Sequence, residues 1–168
     1  MTPGTKLAMD RQPAAQPQLR WSALQIDHLD ALLAVENQCY SHPWTRGNFI
    51  DSMAMGYAIQ LLWIDSQLVG YFVAMQGVDE VHLLNITVNP HHQHQGWAKV
   101  LLEQLKSWAA SVRAGTIWLE VRKGNMRAQQ IYLRFGFEAV GLRKGYYPVS
   151  HLEREDAMVM RYLLPVSA

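Results

Sequence analysis

The sequence predicts an α/β domain of the α+β kind, a central mixed but mostly antiparallel sheet flanked by helices. Three observations point there. Residues 57–64, 68–76 and 80–88 are strand-like runs joined by turns of hairpin length, Asp65-Ser66-Gln67 and Gly77-Val78-Asp79. Residues 95–112 then read as a long amphipathic helix. After it, strand and helix alternate to the end of the chain.

Taken in order, residues 20–24 make a short strand. Residues 27–40 make a helix with Leu29, Leu32, Leu33 and Val35 near helical spacing and Asp27 placed to cap. His42-Pro43-Trp44 interrupts it, because proline disfavours helical geometry in the residue before it. Thr45 can cap a second helix to about residue 54. In the long helix the buried stripe is expected to be Val100, Leu101, Leu105 and Trp108. Strands at 116–121, 137–141 and 157–163 and a helix at 125–135 complete the order. Residues 1–18, rich in Pro, Gln, Ala and Thr, read as a flexible tail, leaving 19–168 as the folded domain.

Composition narrows the function. A chain of 168 residues, 49% hydrophobic, suits one core. With 15 Lys+Arg against 14 Asp+Glu there is no basic stripe, so no nucleic-acid partner is expected. The lone Cys39 rules out an intramolecular disulfide framework and fits a reducing compartment. No basic start with an apolar stretch suggests a signal peptide, and the apolar run near 59–64 is too short for a bilayer. The expectation is a soluble cytoplasmic protein without a membrane partner. His91, His92 and His94 lack a neighbouring cysteine or carboxylate at ligand spacing, so no metal is expected.

Three segments carry chemistry. The strand Leu83–Val88 runs through Ile86, Thr87 and Val88 into Asn89-Pro90-His91-His92-Gln93-His94-Gln95-Gly96-Trp97-Ala98-Lys99, where a helix opens. Its first N–H groups have no intrahelical acceptor, and small residues let a diphosphate approach the backbone. In the strand around Trp118, Glu120 is a carboxylate among apolar residues, on the indole's face by alternation. Partial burial beside an indole favours a raised pKa and a general-base role; a structural pairing with an arginine is the alternative. Asn125 and Tyr132 are seven residues apart on one helix, hence on one side of it. Tyr132 is either a proton donor or a half-buried phenol bonded to a backbone carbonyl.

Together these segments resemble the GNAT acetyltransferase superfamily. The Gln93-x-x-Gly96-x-Ala98 stretch is similar to its acyl-CoA pyrophosphate loop, and the element order is similar to its fold. His42-Pro43-Trp44, Leu119-Glu120-Val121-Arg122, Tyr146-Tyr147-Pro148 and Glu155-Asp156-Ala157 resemble its RimI-type branch, which acetylates the N-terminal alanine of a ribosomal small-subunit protein. The resemblance runs from about residue 27 to 163. It implies acetyl-CoA held by Ile86, Thr87, Val88, His94, Gln95, Gly96, Trp97, Ala98, Lys99 and Asn125, between two splayed parallel strands. It implies Glu120 as proton acceptor, Tyr132 as proton donor and a protein N-terminus as substrate; a lysine or small-molecule amine acceptor, or a non-catalytic CoA-binding module, are the competing readings. Glu153, Glu155 and Asp156 would either attract a basic peptide or form a solvated run. Trp44 would wall the cleft or anchor the first two helices. Two residues depart from the family pattern. His94 stands where arginine is common, and Gly124 replaces a usual serine, which should loosen the entry to the following helix.

Overall fold

Seven strands form one sheet in the computed structural model, which describes residues 17–165. In chain order the elements are β1 (Leu19–Ala23), α1 (Leu29–Cys39), α2 (Arg46–Ala54), β2 (Ala58–Ile64), β3 (Gln67–Gln76), β4 (Glu80–Val88), α3 (Trp97–Ser111), β5 (Thr116–Arg122), α4 (Met126–Phe135), β6 (Glu138–Pro148) and β7 (Arg154–Leu163). Their order across the sheet is β1-β2-β3-β4-β5-β7-β6, antiparallel throughout except for the parallel β4–β5 pair. Residues 1–16 of the expected tail lie outside the described residues. Gln18 does not belong to it: its N–H donates to Asp65 Oδ1 at 3.0 Å and its carbonyl accepts from Asp65 N at 2.9 Å.

Two helices cover each face. On one, Leu29, Leu32, Val35 and Phe49 pack over Ile59, Leu61, Tyr71 and Val73. On the other, Leu102, Leu105 and Ala109 of α3 cover Phe72, Val81, Leu83 and the apolar side of β5, with Ala128, Ile131 and Phe135 of α4 beside them.

Several expectations change in detail. A 3-10 turn (Ile26–His28) precedes α1, so Asp27 sits inside that turn and caps nothing. Thr45 does cap α2: its Oγ1 accepts from Asn48 N at 3.2 Å while Asn48 Oδ1 accepts from Thr45 N at 2.8 Å. Thr45→Ala is expected to cost ~1 kcal/mol of stability, read from denaturant unfolding. The fully buried stripe of α3 is Leu101, Leu102, Leu105 and Ala109, with Val100 and Trp108 at its margins. The helix begins at Trp97 because His94 and Gly96 both adopt left-handed backbone angles, φ 62° and 87°. β6 and β7 are much longer than their apolar patterns suggest, and Tyr146, Tyr147, Glu155 and Asp156 lie within them. Polar bonds hold that extension together. Gly145 N donates to Asp156 Oδ1 at 2.9 Å, and the Arg154 guanidinium donates to the carbonyls of Gly145 and Tyr146.

Candidate active site

The sheet opens where its single parallel pair ends. β4 and β5 are in register from Glu80↔Thr116 to Leu83↔Leu119 and make no further pairs. At that point β4 also loses register with β3: Val73 faces Asn85 while Ala74 faces Leu83, so Leu84 is an extra residue. Such a bulge bends its strand and resets the alternation. Val81 and Leu83 point to the α3 side; beyond the bulge, Ile86 and Val88 do so, and Asn85 and Thr87 face α1. The narrow antiparallel pairs with β3 fall at Asn89/Val69 and, two residues back, Thr87/Tyr71. The backbone groups of Ile86 and Val88 therefore point away from β3, into the opening. Their carbonyls accept there from Tyr40 Oη (3.0 Å) and Gln93 Nε2 (3.2 Å).

A cleft of about 920 Å³ leads from this opening along the α3–α4 side. Ile86, Thr87, Val88, His94, Gly96, Trp97, Ala98, Lys99, Asn125 and Tyr132 all line it, so ten of the residues singled out in the sequence meet at one place. Gln95 and Glu120 do not. Gln95 Oε1 accepts from the Trp97 indole at 3.1 Å. The backbone N–H groups of residues 94–99 donate to no acceptor among the described residues, a row of donors at the positive end of a helix of 15 residues. A Cβ built on Gly96 would meet nothing within 4 Å; the residue is needed for its left-handed φ, which turns the loop into the helix.

α4 supplies the opposite wall. Asn125 caps it, Oδ1 accepting from Ala128 N at 3.1 Å, and the amide nitrogen bonds to nothing among the described residues. At Gly124, just before this helix, a carboxylate supplies a contact to the backbone. Glu155 Oε1 accepts from Gly124 N at 2.6 Å and stands 2.8 Å from where a Cβ would be, filling the place of a serine side chain. The Tyr132 ring packs on Phe137 with centroids 5.7 Å apart. Its hydroxyl bonds to nothing among the described residues, so it is not a phenol tied to a carbonyl. Burial, with smaller contributions from the Tyr40 and Tyr147 hydroxyls, pushes it well above the usual phenol range and keeps it protonated.

Glu120 lies across the sheet from that hydroxyl. Ile117, Leu119 and Val121 are buried on the α3–α4 side, which turns Trp118, Glu120 and Arg122 to the other. The indole expected beside Glu120 donates instead to Glu80 Oε2 at 3.0 Å. Glu120 Oε1 accepts from Arg143 Nη1 at 3.0 Å, with the carboxylate 20% exposed and the arginine 54%. This is the arginine pairing weighed as the alternative, but it is open to solvent and screened, hence easily exchanged for another cation. Tyr147 Oη donates to the Glu120 carbonyl at 3.0 Å, and its ring lies 4.5 Å from the Arg122 guanidinium. Most of the acidic run is engaged locally: Glu155 pairs with Arg122 at 3.2 Å and Asp156 holds Gly145, leaving Glu153 to solvent. Trp44 anchors the first helices, its ring packed at a tilt against Phe49 with centroids 5.3 Å apart.

Sequence reasoning missed a buried chain of polar groups. Glu36, 1% exposed, accepts from Trp44 N (2.8 Å), the Tyr71 hydroxyl and Asn85 Nδ2 (3.2 Å). Thr87 Oγ1 donates to Asn85 Oδ1 at 2.9 Å and lies 2.8 Å from Tyr40 Oη, which reaches the cleft. Burial and the neighbouring carboxylate push the Tyr71 hydroxyl far upward, so it remains a donor. A signal existed: Glu36 is seven residues after Leu29, on the apolar stripe of α1.

A sheet split at its parallel pair, a helix start offering a row of free N–H groups and a cleft joining them fit a transferase that takes a phosphate-bearing acyl donor. A family model described as "Acetyltransferase (GNAT) family" matches residues 29–137, and the chain belongs to that family. It is 32% identical over 146 residues to the [ribosomal protein bS18]-alanine N-acetyltransferase of Escherichia coli strain K12, covering 87% of this chain and 97% of that protein. The crystal structure of the ribosomal-protein-S18-alanine N-acetyltransferase from E. coli superposes with a TM-score of 0.81 at 29% identity, covering 90% of this chain and 97% of the other. The fold is shared with Arabidopsis thaliana NAA60 in complex with acetyl-CoA, TM-score 0.75 at 16% identity over 87% and 99% of the two chains. The chain is thus an acetyltransferase with acetyl-CoA as donor, and the free N–H row and open Gly96 fit that donor. Among the described residues no helix is long and apolar enough to cross a membrane, and no cluster of three or more His, Cys, Asp or Glu could hold a metal.

Proposed function

We propose that this chain acetylates the N-terminal alanine of a ribosomal small-subunit protein in the cytoplasm. The observation that carries the reading is the opening between β4 and β5, with a protonated phenol on one side and a reachable carboxylate on the other. The similarity to bS18-alanine N-acetyltransferases over most of the chain supports the choice of acceptor.

Acetyl-CoA supplies the acetyl group activated as a thioester. The N–H groups of residues 94–99 and the side chains of Lys99 and Asn125 hold its phosphates and pantetheine arm, while Ile86 and Val88 N–H groups polarise a carbonyl placed in the opening. Glu120 receives the incoming ammonium in place of Arg143 and takes its proton, directly or through water. The Tyr132 hydroxyl keeps its proton until a thiolate leaves, gives it up, and regains one through solvent as the nitrogen, now an amide, sheds its second proton. An α-amine with pKa of about 8 is partly neutral at pH 7, whereas a lysine near ~10.4 hardly is, so a modest base suffices for an N-terminus.

The test is to incubate the protein with acetyl-CoA and two peptides and follow peptide mass. One begins Ala-Arg-Tyr-Phe with a free amine; the other has that amine blocked and an internal lysine. Acetylation of the first alone is expected. Acetylation of the second alone would overturn the acceptor and leave the fold and donor in place.

A further inference from the structure

We propose that Arg127 is a cofactor-binding residue, which with His94 forms a cationic seat for the diphosphate of the acyl donor on the α4 wall of the cleft. The inference rests on the cleft being the acetyl-CoA site and adds a residue that neither the motif nor the family pattern indicates.

The loop that starts α3 is rich in N–H donors and poor in charge. From Gln93 to Ala98 no residue carries a fixed positive charge; Lys99 is the first. Arg127, thirty-three residues after His94 and on a different helix, places Nη1 3.1 Å from His94 Nε2. A guanidinium has no lone pair to offer, so it donates; His94 Nε2 accepts, and the imidazole hydrogen sits on Nδ1. Both side chains line the cleft.

Four of the described arginines, Arg46, Arg122, Arg143 and Arg161, are paired with a carboxylate, and Arg127 is among those that are not. Arg127 has no carboxylate within 4 Å among the described residues, and neither do Lys99 and Arg134 on the same walls. The single acidic residue lining the cleft, Glu103, is 3.7 Å from Lys106. The cleft therefore concentrates uncompensated positive charge, which attracts a polyanion. The remaining N–H groups of Arg127 form the planar fork that suits phosphate oxygens. Its contact with His94, two residues before Gly96, puts it opposite the row of free N–H groups. That position assigns it to the diphosphate rather than to the phosphate on the ribose.

The experiment measures binding of CoA and of dephospho-CoA, which lacks the ribose phosphate, by calorimetry. Arg127→Ala is expected to weaken both about tenfold to a hundredfold, as loss of a charge-assisted contact does. His94→Arg added to Arg127→Ala returns the charge to the other side of the same contact and is expected to recover most of the affinity. Melting curves of both variants should match the parent, since Arg127 is exposed and holds no other element. Unchanged CoA affinity in Arg127→Ala would overturn the proposal. A loss seen with CoA and absent with dephospho-CoA would overturn the assignment to the diphosphate. Failure of the parent protein to bind CoA at all would instead remove the cleft as the donor site.

Discussion

Replacement of Glu120 by glutamine is expected to lower kcat by about 10²–10⁴, the usual worth of a positioned general base. Acetyl-CoA affinity should change little, because Glu120 is not on the wall of the donor cleft. The competing explanation for any loss is the broken pair with Arg143. Arg143→Ala removes that pair and keeps the carboxylate, so a structural Glu120 would make the two variants alike. The proposed role predicts that Arg143→Ala retains most of kcat while Glu120→Gln does not. Tyr132→Phe deletes only a hydroxyl that bonds to nothing within the described residues, so stability should hold while turnover falls. Equal turnover in Glu120→Gln, Tyr132→Phe and the parent would remove both residues from the chemistry.

The largest expected loss of stability comes from Glu36→Ala. The carboxylate is the common acceptor for Trp44 N, the Tyr71 hydroxyl and Asn85 Nδ2. Each buried donor left without a partner costs about 1–3 kcal/mol. Allowing for relaxation of the α1–α2 connection, a total near 3–5 kcal/mol is expected, or a fall in Tm of roughly 10 °C. Glu36→Gln keeps one acceptor oxygen but turns two donors toward the others, so an intermediate loss is expected. Turnover of Glu36→Ala below its Tm should drop as well, since Asn85 and Thr87 fix the strand whose Ile86 and Val88 N–H groups face the opening. A loss below about 1 kcal/mol in denaturant titrations would mean that water replaces the carboxylate at no cost.

Where the sequence was legible, it was so for a physical reason. The meander β2–β4 and the helices α2, α3 and α4 are written in local patterns, namely turn residues, apolar spacing and the cap at Thr45. The donor cleft was legible because a helix start that must leave its N–H groups free has few ways to be built, and Gly96 marks one. The outer half of β6 was not, since nearly all its side chains are exposed and no apolar alternation records it. Bonds from Arg154 and Asp156 to distant backbone groups hold that hairpin, and such bonds leave no period. The bulge at Leu84 was equally hidden, although it decides which β4 residues face the cleft. Arg127 was passed over because its meaning lies in a neighbour from another element. Glu36 could have been found, as a charge on an apolar stripe, had burial been asked of every position in α1. For the acidic residues near the end, sequence distance does not reveal that Glu155 is bound to Arg122 and Gly124.

The most direct test of the account is a crystal structure with a bisubstrate conjugate, CoA joined through an acetyl bridge to the amine of Ala-Arg-Tyr-Phe. The account predicts the CoA arm along α3 and α4, the bridge in the opening beside Ile86 and Val88, the alanine nitrogen on the Glu120 side, and Arg143 displaced from Glu120. A conjugate whose peptide leaves on the Tyr132 side, or whose bridge lies away from the end of the β4–β5 pair, would contradict it.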